Sequence, residues 1–234
     1  MYSSPLFIIF IVFAALSGLA SWQLRRRFKK YSAIPSQGNL SGREVAEKML
    51  QSNGIYNVNV VSVAGNLSDH YNPENKSVNL SPDVFNGRNV AAAAVAAHEC
   101  GHAIQDAHSY TFLKLRTMLV PLQNVSSKVL NIIFIAMFAG AILLPSLMPM
   151  MLALQIIIVC YAMFTIFAFV TLPVEIDASR KALAWLSSGG VTSTSTHSYA
   201  KDALKWAAFT YVIAALSSLA TLLYYIMVYM NRRN

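Results

Sequence analysis

The chain has 234 residues, 56% of them hydrophobic and only 12% charged, with 18 Lys+Arg against 10 Asp+Glu. Soluble globular domains carry about a quarter charged residues, so this composition points to lipid contact and excludes a disordered chain. Two cysteines, Cys100 and Cys160, are too few for a disulfide scaffold.

Residues 5–24 carry no charge and are long enough to cross roughly 30 Å of hydrocarbon as a helix. A secretory signal peptide places its positive charges before the apolar run. Here Arg25, Arg26, Arg27, Lys29 and Lys30 follow it, which predicts a retained anchor with its C-terminal end cytoplasmic. Further spans are expected at about 129–147, 151–172 and 206–229. The link PSLMPM between the middle two has two prolines and no charge, as a hairpin turn on the outer face would. Four crossings from an outside start leave 25–128 and 173–205 in the cytoplasm. Those two regions hold 16 of the 18 basic residues. The basic run after the first span is therefore a topology signal, and no aromatic-interleaved basic surface supports nucleic acid.

Five segments are expected: the anchor at 1–24, a cytoplasmic α+β unit at 25–128, a transmembrane hairpin at 129–172, a cytoplasmic helix and loop at 173–205, and a last span with a basic tail at 206–234. Within the cytoplasmic unit, Ser41 with Glu44 three residues on forms a capping box for GREVAEKMLQS. Residues 57–63 alternate as a half-buried strand does. Asn72-Pro73-Glu74-Asn75 reads as a turn between two short strands. A helical turn from Ser81-Pro82 follows, then a long helix from about Asn89. The fold class is a mainly α integral membrane protein, with four transmembrane helices and a small α+β cytoplasmic unit.

The long helix contains His98-Glu99-Cys100-Gly101-His102, the pattern H-E-x-x-H. Four residues make just over one turn, so both imidazoles share a face and can share a Zn²⁺. Glu99 lies about 100° around, too far to join them but placed to take a proton from a zinc-bound water and pass it to a leaving amine. A catalytic zinc needs a third protein ligand. His108 has the spacing of the metzincin pattern, but Gln105 stands where that pattern has the glycine that turns the chain back. Glu175, in LPVEIDASRKAL after the third span, returns to the same side as the histidines in the charge-based topology and is the favoured ligand. Asp177 reads as solvated or paired with Arg180 or Lys181. Asp106 is a candidate acceptor for a ligand imidazole. His70, Tyr71 and Tyr199 are candidate donors to a developing oxyanion, with an ordinary structural role the preferred reading for each. The α+β unit that carries the motif reads as zincin-like. Cys100 reads as a spacer in a reduced compartment.

The runs LSDHYNPENKSVNLSPDVF, VAAHECGHAIQDAHSY, LKLRTMLVPLQNVSS, LPVEIDASRKAL and AAFTYVIAAL resemble the YugP-like family of neutral zinc metallopeptidases of bacterial membranes. The likeness runs from about residue 40 to 225. More distantly the chain is similar to HtpX-type membrane proteases, gluzincins in which a glutamate of an E-x-x-A-D motif completes the zinc site. The resemblance implies His98, His102 and Glu175 as zinc ligands, Glu99 as the catalytic carboxyl, and protein or peptide substrates in a multi-pass inner-membrane protein. Ser179 stands where the motif has Asp. Two rival readings remain at this level. A non-catalytic metal-binding scaffold or partner-binding subunit would have no need of a carboxylate between its histidines. A transporter would place ionisable residues inside its spans, which are bare of them. Substrate identity, partners and homo-oligomeric state are not written in the sequence.

Overall fold

The computed structural model describes residues 5–65, 68–143 and 150–233. The expected hairpin turn PSLMPM lies, but for its last residue, outside the described residues. Helix α1 (Pro5–Tyr31) is followed by α2 (Gly42–Ser52), β1 (Asn59–Ser62), β2 (His70–Asn72), β3 (Ser77–Leu80), α3 (Pro82–Asn86) and α4 (Val90–Ala107). Three long helices complete the chain, α5 (Thr111–Leu143), α6 (Met150–Ser188) and α7 (Thr194–Arg233). The chain divides into two compact units, one of 1–18, 115–172 and 211–234, the other of 19–114 and 173–210.

In the first unit, Leu130, Ile133, Ala153, Leu154, Ile157, Cys160 and Tyr225 form a buried cluster. Tyr161 stacks on Tyr225 with ring centroids 5.5 Å apart. Outward-facing side chains are equally apolar: Phe10, Ile135 and Val159 are 67%, 68% and 64% exposed. Water would not tolerate such faces, whereas hydrocarbon does. Among the described residues, four helices are long and apolar enough to cross a membrane, α1, α5, α6 and α7.

Two helices extend beyond the spans read from the sequence. α5 starts at Thr111, well before the expected edge at 129, because Lys114, Arg116 and Lys128 hide a helical run that the hydrophobic pattern alone truncates. The helix expected within 173–205 is not a separate element either. α6 is one helix through Pro173, and Glu175 rides on the same element as the third apolar run. Inside a long apolar helix neighbouring groups accommodate such a proline.

The second unit is built around α4. Ser41 accepts the Glu44 amide while the Glu44 carboxylate accepts the Ser41 amide, so the capping box of α2 is complete. β3 is the central strand, parallel to β1 and antiparallel to β2. The register Asn72↔Ser77 leaves residues 73–76 as the turn expected from the Asn-Pro-Glu-Asn run. β1 is more exposed than an alternating strand should be. Asn89 caps α4 by accepting the Ala92 amide. Fourteen of the 18 residues of α4 are buried, which makes it the axis of the unit. Its alanines pack against Val45, Met49, Val78, Leu80, Val84, Ala182 and Leu186. Small side chains let neighbouring backbones come close, as at Gly101. A Cβ there would lie 2.6 Å from the Ala178 carbonyl oxygen and 2.9 Å from its Cα.

Gly101→Ala therefore has to push α4 and the 173–188 segment of α6 apart. Overpacking of this kind costs about 1–3 kcal/mol. The midpoint of thermal unfolding of the detergent-solubilised protein should fall, while Gly18→Ala, where a Cβ meets nothing within 4 Å, should not lower it.

Candidate metal centre

His98 and His102 project from one face of α4 with ring centroids 4.8 Å apart. Across the Gly101–Ala178 crossing, α6 presents Glu175, 2% exposed. Its Oε2 lies 3.3 Å from His98 Nε2 and 3.6 Å from His102 Nε2. One ligand atom from each of the three residues lies within 4.8 Å of the others. Ligands of a tetrahedral zinc, each at 2.0–2.1 Å, sit about 3.3 Å apart. Two imidazoles and a carboxylate at this spacing fit zinc, with one position left for a further ligand.

The chain also fixes which imidazole nitrogen is free. Gln105 is fully buried, and its Nε2 donates to the Val174 carbonyl at 2.8 Å and to Asp177 Oδ2 at 2.9 Å. With both acceptors on the amide nitrogen side, Gln105 Oε1 must face His102 Nδ1, 3.0 Å away. Nδ1 is then the protonated nitrogen, and the Nε2 lone pair points towards Glu175. Lys181 and Arg180 neutralise Asp177 in turn, the arginine at 3.5 Å. Asp177 is thus the anchor of the Gln105 amide, in addition to the ion pairs expected for it. Ser179 Oγ lies 3.1 Å from His98 Nδ1. The residue that departs from the E-x-x-A-D pattern is the one that touches the other imidazole. Sequence reasoning noted Gln105 only for the glycine it displaces. An amide at i+3 from a motif histidine was the available signal.

Glu99 is 8% exposed and its Oε2 accepts the Tyr71 amide at 3.0 Å. Burial is the main cause that pushes its carboxyl up to about 7; the negative charges of Glu175 and Asp69 add to it, and His98 and the Tyr71 amide oppose it. A carboxyl near neutrality can both accept and return a proton. The amide it accepts belongs to β2, an outer strand of the sheet, so strand and carboxylate are positioned together.

Other candidates take structural places. His108 is exposed and ends α4 at its C-terminal cap, so it stays outside the His98–His102–Glu175 group. The helix stops there, with Ser109 at positive φ. Asp106 accepts from the Tyr71 hydroxyl at 2.7 Å and from Lys76, which ties the β2–β3 hairpin to α4; among the described residues no imidazole is its partner. The Tyr71 hydroxyl is thereby engaged. His70 is exposed with Nδ1 2.7 Å from the Ser68 carbonyl. Tyr199 stacks on Tyr31 at 5.1 Å. Cys100 is buried with Sγ facing the Ala46 carbonyl, and burial raises its thiol pKa well above the ordinary range. It is a packing residue between α4 and α2.

The family described as "Putative neutral zinc metallopeptidase" matches residues 6–230. The chain belongs to this family. It is also 39% identical over 229 residues to "Putative membrane protease YugP" of Bacillus subtilis (strain 168), covering 97% of this chain and 98% of that protein. No solved structure matches it. The family, the four candidate spans and the His–His–Glu group agree in pointing to zinc and to a membrane peptidase.

Removing the Gln105 acceptor should loosen His102. Partners of this kind typically contribute 10–100-fold in metal affinity. Gln105→Leu is expected to weaken zinc binding by about that factor in a chelator competition titration. His108→Ala should leave it within a few-fold of the unaltered protein.

Proposed function

We propose that this protein is a membrane-embedded zinc endopeptidase in which His98, His102 and Glu175 hold the metal and Glu99 is the catalytic carboxyl. The observation that carries the reading is the convergence of three donors from α4 and α6, with a buried carboxyl of raised pKa beside them. Bound there, zinc would lower the pKa of a water towards about 7 and polarise a substrate carbonyl. Glu99 accepts the proton of the attacking water and returns it to the departing amine, so that one carboxyl serves both halves of the hydrolysis. Ser179 and Gln105 hold the imidazoles in orientation. β2 offers an edge along which an extended peptide can lie beside Glu99.

Glu99→Gln should retain about one zinc per chain and lose about 10²–10⁴ of peptide-bond turnover, since the ligands remain while the proton acceptor is gone. Glu175→Ala should instead lose the metal. Undiminished hydrolysis by the Glu99 variant would overturn the assignment.

We further place the site on the cytoplasmic face of the bacterial inner membrane, in a chain of the five segments expected from the sequence, because 16 of 18 basic residues fall in 25–128 and 173–205. Its substrates on this reading are proteins or peptides at that face. The assignment can be checked with single cysteines introduced into a background lacking Cys100 and Cys160, using an impermeant thiol reagent on intact cells. Positions 40 and 190 should be protected and position 147 labelled. Labelling of position 40 would invert the topology.

A further inference from the structure

A groove of about 480 Å³ runs between α6 and the first turns of α7, with Ser179 and His197 in its lining. Ile176, Leu183 and Leu204 form its apolar wall, and Arg180, Lys201 and Lys205 stand along it, all three exposed. No carboxylate lines it among the described residues. The nearest acids in sequence are engaged elsewhere: Asp177 with Lys181 and Gln105, Asp202 with Arg27 and Tyr31. Lys201 and Lys205 form no ion pair among the described residues, although Lys205 sits over the Phe209 ring at 5.7 Å. Arg180 touches Asp177 only at 3.5 Å, with its side chain 76% exposed. Three cations line an apolar trough with no counter-ion inside it.

Their position along the helices tells what would neutralise them. Arg180 lies eight residues past the apolar run 151–172 of α6, about 12 Å along the axis. Lys205 and Lys201 lie one and five residues before the run 206–229 of α7, the farther about 8 Å out. Ile176 lies closer to its apolar run than Arg180 does. Hydrocarbon contact followed by positive charge is the order in which a phospholipid presents its chain and its headgroup, and basic pockets between membrane helices select anionic headgroups.

We propose that this groove binds an anionic phospholipid, with its phosphate held by Lys201, Lys205 and Arg180 and its acyl chain against Ile176 and Ala208, both nearer the apolar runs than the outer cations. An acidic substrate segment is the rival occupant, because Ser179, which touches His98, also lines the groove. The unpaired lysines next to an apolar run favour the lipid.

The full-length protein, purified in detergent as Glu99→Gln so that no turnover enters the measurement, would be titrated with phosphatidylglycerol or phosphatidylcholine and bound lipid counted by native mass spectrometry. Failure here is thereby separate from failure of the peptidase assignment. Phosphatidylglycerol should bind preferentially. The added double substitution Lys201→Gln/Lys205→Gln should weaken it about 25-fold, at about fivefold for each cation. Lys201→Arg/Lys205→Arg should retain it, and the charge-matched control Arg43→Gln/Lys48→Gln should stay within a few-fold. Equal binding of the two lipids, or an equal loss in the control, would overturn the proposal. So would a poly-glutamate peptide that binds through the same lysines where phosphatidylglycerol does not, since it would assign the groove to substrate.

Discussion

The close approach of Gly101 to the Ala178 backbone is the constraint on which the site depends. A helix with a side chain at 101 would hold α6 off by the thickness of a methyl group, and Glu175 could not reach the two Nε2 atoms at 3.3 and 3.6 Å. The same contact brings Ser179 to His98 and the Val174 carbonyl to Gln105. A glycine between the two histidines costs helix propensity of about 1 kcal/mol. Burial of the surrounding alanine face offsets that cost, since α4 is packed on nearly every side.

Polar groups beneath the histidines do a second job. Neutral imidazole can place its proton on either nitrogen, and only one choice leaves Nε2 able to bind a metal. Gln105 removes the ambiguity for His102 because its amide nitrogen already has two acceptors, one of them Asp177. Lys181 and Arg180 keep Asp177 charged in a place where it is 9% exposed. The chain Lys181–Asp177–Gln105–His102 therefore carries orientation from the surface of α6 to the motif on α4. Ser179 is a weaker partner for His98 than a carboxylate would be, since a hydroxyl can either donate or accept.

Around Glu99 the sheet and the helix are joined twice. The Tyr71 amide holds the carboxyl, and the Tyr71 hydroxyl with Lys76 holds Asp106 two turns further along α4. β2 is only three residues long and would be marginal as a strand on its own. Anchored at both points, it keeps a defined distance from the carboxyl that its outer edge faces.

The sequence by itself determined the elements whose causes are local. Four uncharged runs of spanning length, the Ser41–Glu44 box, the Asn-Pro-Glu-Asn turn, the Asn89 cap and the pair His98 and His102 one turn apart all follow from residues within a few positions of each other. Glu175 was also legible, through the charge bias that returned it to the side of the histidines. The roles of Gln105, Asp177 and Ser179 were not, and neither was the continuity of α6 through Pro173. Gln105 meets Asp177 across 72 positions and Ser179 meets His98 across 81. Periodicity and capping carry no information over that distance. What decided those partners was the crossing of α4 and α6 at Gly101, a packing contact that exists only once both helices are in place.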